Sequence, residues 1–167
     1  MRSMHNPFLL HPKELRQSWK DLRASLDGFT DLVKQLQLVS DFWNQAPIGK
    51  PYLNYLDPES WPDPWLLIDS KILDRNSLSL GMFYTIMLAN NAVKNKNIKL
   101  AMIRQPSISW EGLVCTVDDS WIIGYDRDKV CNIDSIPDML VMHMYKYDLH
   151  KRCVTEIKLF NSSSYHA

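Results

Sequence analysis

Near Asn97 the hydrophobic period of this chain changes from helical to alternating, and that switch fixes the class of fold open to it. Upstream, apolar residues recur every three or four positions. Downstream, short apolar runs alternate with polar residues and end at Asp, Asn, Gly or Ser. Helices followed by strands predict an α+β fold, with N-terminal helices and a buried central helix packed on a small antiparallel sheet formed by the C-terminal half. With 167 residues and 46% hydrophobic content, one domain can bury a sizeable core. We read 1–167 as a single domain, with a helical region over 1–44, a proline-rich loop and central helix over 45–97, a strand-rich region over 98–160 and a polar tail over 161–167.

Pro12 suits the first position of a helix and Glu14 its first turn, so a helix is predicted to begin at His11 or Pro12. Leu15, Trp19, Leu22, Leu26, Phe29, Val33 and Leu36 then follow at spacings of 4, 3, 4, 3, 4 and 3, a heptad pattern. Asp27-Gly28 interrupts it with a turn-prone pair, and Thr30 and Asp31 stand ready to cap a second helix. Two readings share the stripe: a helix or helical hairpin packed on its own domain, or a seam for another subunit. These seven residues are the candidate interaction site, facing a partner protein or a second copy of the chain.

Pro47, Pro51, Pro58, Pro62 and Pro64 exclude any long regular element from the next stretch. Asp57-Pro58 and Asp63-Pro64 each pair an N-cap with a first-position proline, predicting two short helical turns, the second running through Ile68. Trp61 and Trp65 are expected to plug the edge of the core. Leu73, Leu80, Tyr84, Met87 and Leu88 lie at helical spacing, with Met82, Phe83 and Ile86 apolar as well, so the buried central helix is placed here, ended by Asn90-Asn91. Gly81 within it is expected to admit a crossing backbone. Strands are predicted at Ile98 to Arg104, Gly112 to Val117 and Ser120 to Tyr125, an antiparallel meander turning at Asp118-Asp119. Further strands are expected at Lys129 to Ile133 and Arg152 to Phe160. Between them DMLVMHMYKY reads as helix or strand, and we favour a helix opened by Pro137.

Nineteen basic residues balance nineteen acidic ones, so no overall field favours nucleic acid or an anionic membrane, and neither is expected as a partner. Lys94, Lys96 and Lys99 cluster only modestly, without interleaved aromatics. Six Trp supply rings suited to a core or an interface centre. Cys115, Cys131 and Cys153 are widely spaced with no CxxC, which predicts reduced thiols, no disulfide framework and no metal site. No signal-type or membrane-spanning run is seen, so a soluble, non-secreted protein is expected and the sequon at Asn161 is chance composition. A nucleophile needs a base, and the nearest assembly is Cys115 with His143 or His150 and Asp126 as orienting acid, although Cys115 sits in an apolar alternation and His143 between two methionines. Asp126 and Asp128 read as a solvated loop and not as a magnesium pair. There is no P-loop and no GxGxxG; no catalytic residue and no cofactor is predicted, and the chain reads as a non-enzyme.

The blocks FWNQAPIG, DPESWPDPW and LGMFYTIML, followed by LVCTV and WIIGYD, resemble proteins encoded by tailed bacteriophages, including cyanophage-like myoviruses, over roughly residues 40 to 127. That resemblance implies a structural or assembly protein of the neck, tail or baseplate, found in the virion or in the host cytoplasm before assembly, with other phage structural proteins or copies of itself as partners. A small phage regulatory protein that binds a host factor is the alternative of the same origin. The order of proline-rich loop, buried helix and antiparallel strands is also similar to the transglutaminase-like cysteine hydrolase fold, which implies a Cys at a helix N-terminus and His and Asp on successive strands. Here Leu73 to Ser77 holds no Cys and Leu113 to Val117 no His; only Asp126 falls near its place. On that resemblance the chain is a remnant or atypical cysteine hydrolase, without the parts of the mechanism.

Overall fold

The computed structural model describes residues 5–51, 53–89 and 96–159, and within them the expected α+β order is present. Helix α1, Pro12–Ser25, starts at Pro12, with the His11 ring accepting the Lys13 N–H at 3.3 Å. Helix α2, Leu32–Trp43, is capped by Asp31, whose carboxylate accepts from the Val33 N–H. A 3-10 turn, Leu26–Gly28, separates them. The break is held from the far side: the Gln35 amide, itself buried, donates to the Leu26 carbonyl at 3.0 Å and to that of Phe29 at 2.7 Å.

The partner-facing stripe is corrected by this packing. Leu15, Trp19, Leu26 and Leu36 are fully buried in the chain's own core, and Leu22 packs against it. Val33 is half-buried, and Phe29 stays exposed at the turn. The reason lies behind the stripe. Helix α4, Arg75–Met87, runs through the middle of the molecule and is buried on every side from Ser77 to Ile86, so α1 and α2 have an apolar surface of their own to cover.

Asp63 caps α3, Pro64–Ser70, by accepting from the Trp65 and Leu66 N–H groups, and Pro58–Ser60 forms the other short turn. Trp61 does seal the core edge, while Trp65 is half exposed, with its ring set edge-on to Trp19 at 5.3 Å. The approach expected at Gly81 exists, but an indole ring makes it and not a backbone: a Cβ there would stand 2.6 Å from Trp43. Asn90-Asn91, Lys94, the C-terminal part of the last predicted strand at Phe160 and the tail with Asn161 fall outside the described residues.

The strands are β1 Ile98–Gln105, β2 Trp110–Val117, β3 Trp121–Ile123, β4 Cys131–Asn132, β5 Leu140–Asp148 and β6 Cys153–Ile157. They form one antiparallel sheet in the order β4-β3-β2-β1-β5-β6. The first three are the predicted meander, with Asp118 and Asp119 both at positive φ in its turn, and β4, within the further strand expected at Lys129 to Ile133, extends it. The β5–β6 hairpin then joins the free side of β1. DMLVMHMYKY is therefore strand and not the favoured helix: methionine and leucine propensity is a weak preference, and a strand between β1 and β6 satisfies the backbone on both sides. Its entry is fixed by Asp138, at φ 47°, whose carboxylate accepts from both the N–H and the hydroxyl of Ser107.

One face of the sheet, with Leu100, Met102, Leu113, Cys115 and Tyr145, packs on the helices. Ala101, Ile103, Val114 and Met144 on the other face form a second cluster under Ile133, Ile136 and Met139. No helix among the described residues is long and apolar enough to cross a membrane.

Candidate functional site

The first turn of α4 meets β2 and the end of β3, and side-chain hydrogen bonds fix the junction. Asp74, the N-cap, accepts from the Ser77 N–H at 2.6 Å and from the Leu53 N–H at 3.0 Å, tying the proline-rich loop to the helix start. Asn76 accepts from the Leu113 N–H at 3.0 Å, and the Ser79 hydroxyl donates to the Leu113 carbonyl at 2.6 Å. The main chain of Leu113 is thus held at both its N–H and its carbonyl by one helix. Gly124 follows β3 at φ +89°, and a Cβ there would lie 2.2 Å from the Ser79 hydroxyl, so only glycine lets the chain pass.

An open cleft of about 320 Å³ borders this junction, lined by Ile48, Gly49, Pro51, Arg75 and Glu111 among others. Its wall is structural. The Trp110 ring lies across Gly112, where a Cβ would meet it at 2.8 Å, and stands edge-on to Tyr125 at 5.0 Å. The Tyr125 hydroxyl donates to the side-chain oxygen of buried Gln105. Glu111 pairs with Arg104 across the β1–β2 ladder at 3.3 Å.

These residues cannot assemble a cysteine nucleophile at the helix start. The first turn carries Arg75, Asn76 and Ser77, and the residue of β2 beneath it is Leu113, fully buried. Cys115 lies two residues further along β2, enclosed in the core, and burial pushes its thiol well above the ordinary range. His143 is on β5, with β1 intervening: Cys115 faces Leu100 and His143 faces Met102, so two strand spacings, roughly 10 Å, already separate them. His143 instead meets Glu156 at 2.7 Å, with Tyr55 beside it. His150 sits in the β5–β6 turn, its N–H donating to Asp148. Asp126 accepts from the Asp128 N–H in a loop turn, and no group of three or more metal-ligating side chains occurs among the described residues. The structure therefore does not bring the sequence-derived triad of Cys115, His143 and Asp126 together.

Lys96 and Lys99 pair with Asp118 and Asp119. All three cysteines are free, Cys153 exposed and Cys131 half-buried. Sequence reasoning passed over Asn76, Ser79 and Gly124. The available signal is the small polar residues Asn76, Ser77 and Ser79 at the start of a helix whose later part is largely apolar, since such groups are retained where they have a partner.

No protein-family model and no curated protein matches the chain. Solved structures do. LapG of Legionella pneumophila superposes with a TM-score of 0.61 at 16% identity, over 83% of this chain and 78% of LapG. The EGTA-treated form of LapG gives 0.62 at 14% identity, over 92% and 87%. The chain is thus similar in fold to LapG, which fits the second resemblance, and at these identities the likeness is one of fold alone.

Proposed function

We propose that this chain is a non-enzymatic binding protein built on a transglutaminase-like scaffold, serving bacteriophage assembly by contacts with other structural proteins or with copies of itself. One observation carries the non-enzymatic reading. The helix–strand junction where such a fold would hold a thiol and an imidazole is occupied by Asn76, Ser79 and Leu113, whose hydrogen bonds are spent on holding the sheet. A thiolate is the nucleophile in cysteine hydrolysis, and burial of Cys115 disfavours that form. The phage setting, and a place in the virion or in the host cytoplasm before assembly, rests on the sequence blocks over residues 40 to 127.

Two measurements test it. The purified full chain is assayed on peptide and ester substrates, with no turnover expected; hydrolysis that vanishes on replacing Cys115 or Cys153 by Ser would overturn the non-enzymatic reading. Mass spectrometry of purified particles and of assembly intermediates is expected to find the chain, and its absence from both would remove the phage-assembly reading.

A further inference from the structure

A groove lies at the opposite end of α4 from the Asn76 junction. Its two parts, about 320 Å³ and about 240 Å³, share Pro64, Tyr84, Tyr147 and Arg152 and so run together. Tyr84 belongs to the buried face of α4 and donates to the Pro62 carbonyl at 2.8 Å, which fixes the ring. Trp61 and Tyr147 form the sides, and Leu149, which is 75% exposed, stands at one end. Glu59 and Asp63, both exposed, line the other part, and against them Arg152 is the one cationic side chain among the described lining residues. The groove is thus aromatic in the middle and net negative. It also borders β6, the last strand in the sheet order, whose outer main-chain groups face no strand among the described residues.

We propose that this groove binds an extended peptide segment of a partner protein, with proline or aromatic side chains against Pro64 and Tyr147, over the buried Tyr84, and an Arg or Lys paired with Glu59 and Asp63. This rests on the binding-protein reading and names its surface. Three features select the occupant. Pro64 at the start of α3 and the Tyr147 ring on β5, both seated on the core, suit a preformed extended chain, which loses little entropy on docking. Two carboxylates against one guanidinium favour a basic group over an acidic one. The neighbouring sheet edge offers main-chain donors and acceptors that a peptide satisfies and a small apolar molecule does not.

Cys153 lines the groove and supplies the readout. The full chain is titrated with a synthetic octapeptide containing Pro-Tyr-Pro and one Arg, while alkylation of Cys153 and Cys131 is followed by mass spectrometry. The peptide is expected to protect Cys153 and leave Cys131 unchanged. Glu59→Lys should weaken the peptide about threefold to fivefold, as loss of an exposed pair does. A peptide with Glu in place of Arg should regain affinity on that variant. Leu149→Asp, at an exposed position, should also weaken binding, and circular dichroism checks that both variants stay folded. Absence of protection, or equal affinity of Glu59→Lys for both peptides, overturns the groove. Partner binding that survives Glu59→Lys and Leu149→Asp removes the groove and leaves the binding-protein reading standing.

Discussion

The hydroxyl of Thr85 uses its whole hydrogen-bonding capacity: it accepts the Trp19 indole N–H at 2.9 Å and that of Trp43 at 2.8 Å, and donates to the Gly81 carbonyl at 2.7 Å. Thr85→Val keeps the shape and orphans two buried donors, so a loss of about 2–4 kcal/mol is expected in denaturant unfolding. A loss well under 1 kcal/mol would mean that the indoles find other partners, given the usual cost of an unmade buried bond of about 1–3 kcal/mol. Cys115 sets an alkaline limit. Its folded-state pKa lies above the ordinary thiol value of 9.0, so its contribution to stability is complete below that pH and is lost as pH rises beyond it, when only the unfolded chain releases the proton. Burial pushes the phenols of Tyr84 and Tyr145 up from 10.0 as well, and they extend the same decline. Unfolding free energy measured against pH should therefore fall above about pH 9, with Cys115→Val removing the first part of the fall.

Between α1 and α2 the sequence offers Gly28 as the breaker, and the structure gives the task to other residues. A Cβ at Gly28 would meet nothing within 4 Å, and its φ is not positive. Gly28→Ala should be neutral or stabilising by up to about 1 kcal/mol, through the unfolded chain. Asp31→Ala removes the cap of α2 and should cost about 1 kcal/mol. Thermal unfolding of the two variants separates these expectations, and a larger loss for Gly28→Ala than for Asp31→Ala would reverse the assignment. The same contrast explains which elements were legible in the sequence. Pro12, Asp63-Pro64 and Asp118-Asp119 mark their elements because caps and turns act over neighbouring residues. The residues of β5 favour a helix by local propensity, and their strand character comes from partners far away in sequence, Leu100 to Arg104 on β1 and Cys153 to Ile157 on β6.

At the scale of the whole molecule, α4 is the shared wall of the helical half and the sheet, packed against α2 on one side and β2 and β1 on the other. The helical half has no core apart from the sheet, since Trp19, Trp43, Phe83, Leu100 and Cys115 belong to one cluster and the second cluster only backs the sheet's other face. Indole fluorescence and far-ultraviolet circular dichroism should therefore report one coincident unfolding transition, and two resolved midpoints would show the halves to be independent. Sequence alone determined the α+β class, the change of period at Asn97, the capped helix starts and the lack of a thiol or imidazole at the start of α4, because each is a property of residue type and short-range spacing. Tertiary structure alone decided that the heptad stripe covers its own central helix, that Asn76 and Ser79 hold the main chain of Leu113, and that Tyr84, Tyr147 and Glu59 come to one groove. Those outcomes depend on which distant surfaces meet, and periodicity says which face is apolar without saying what lies against it.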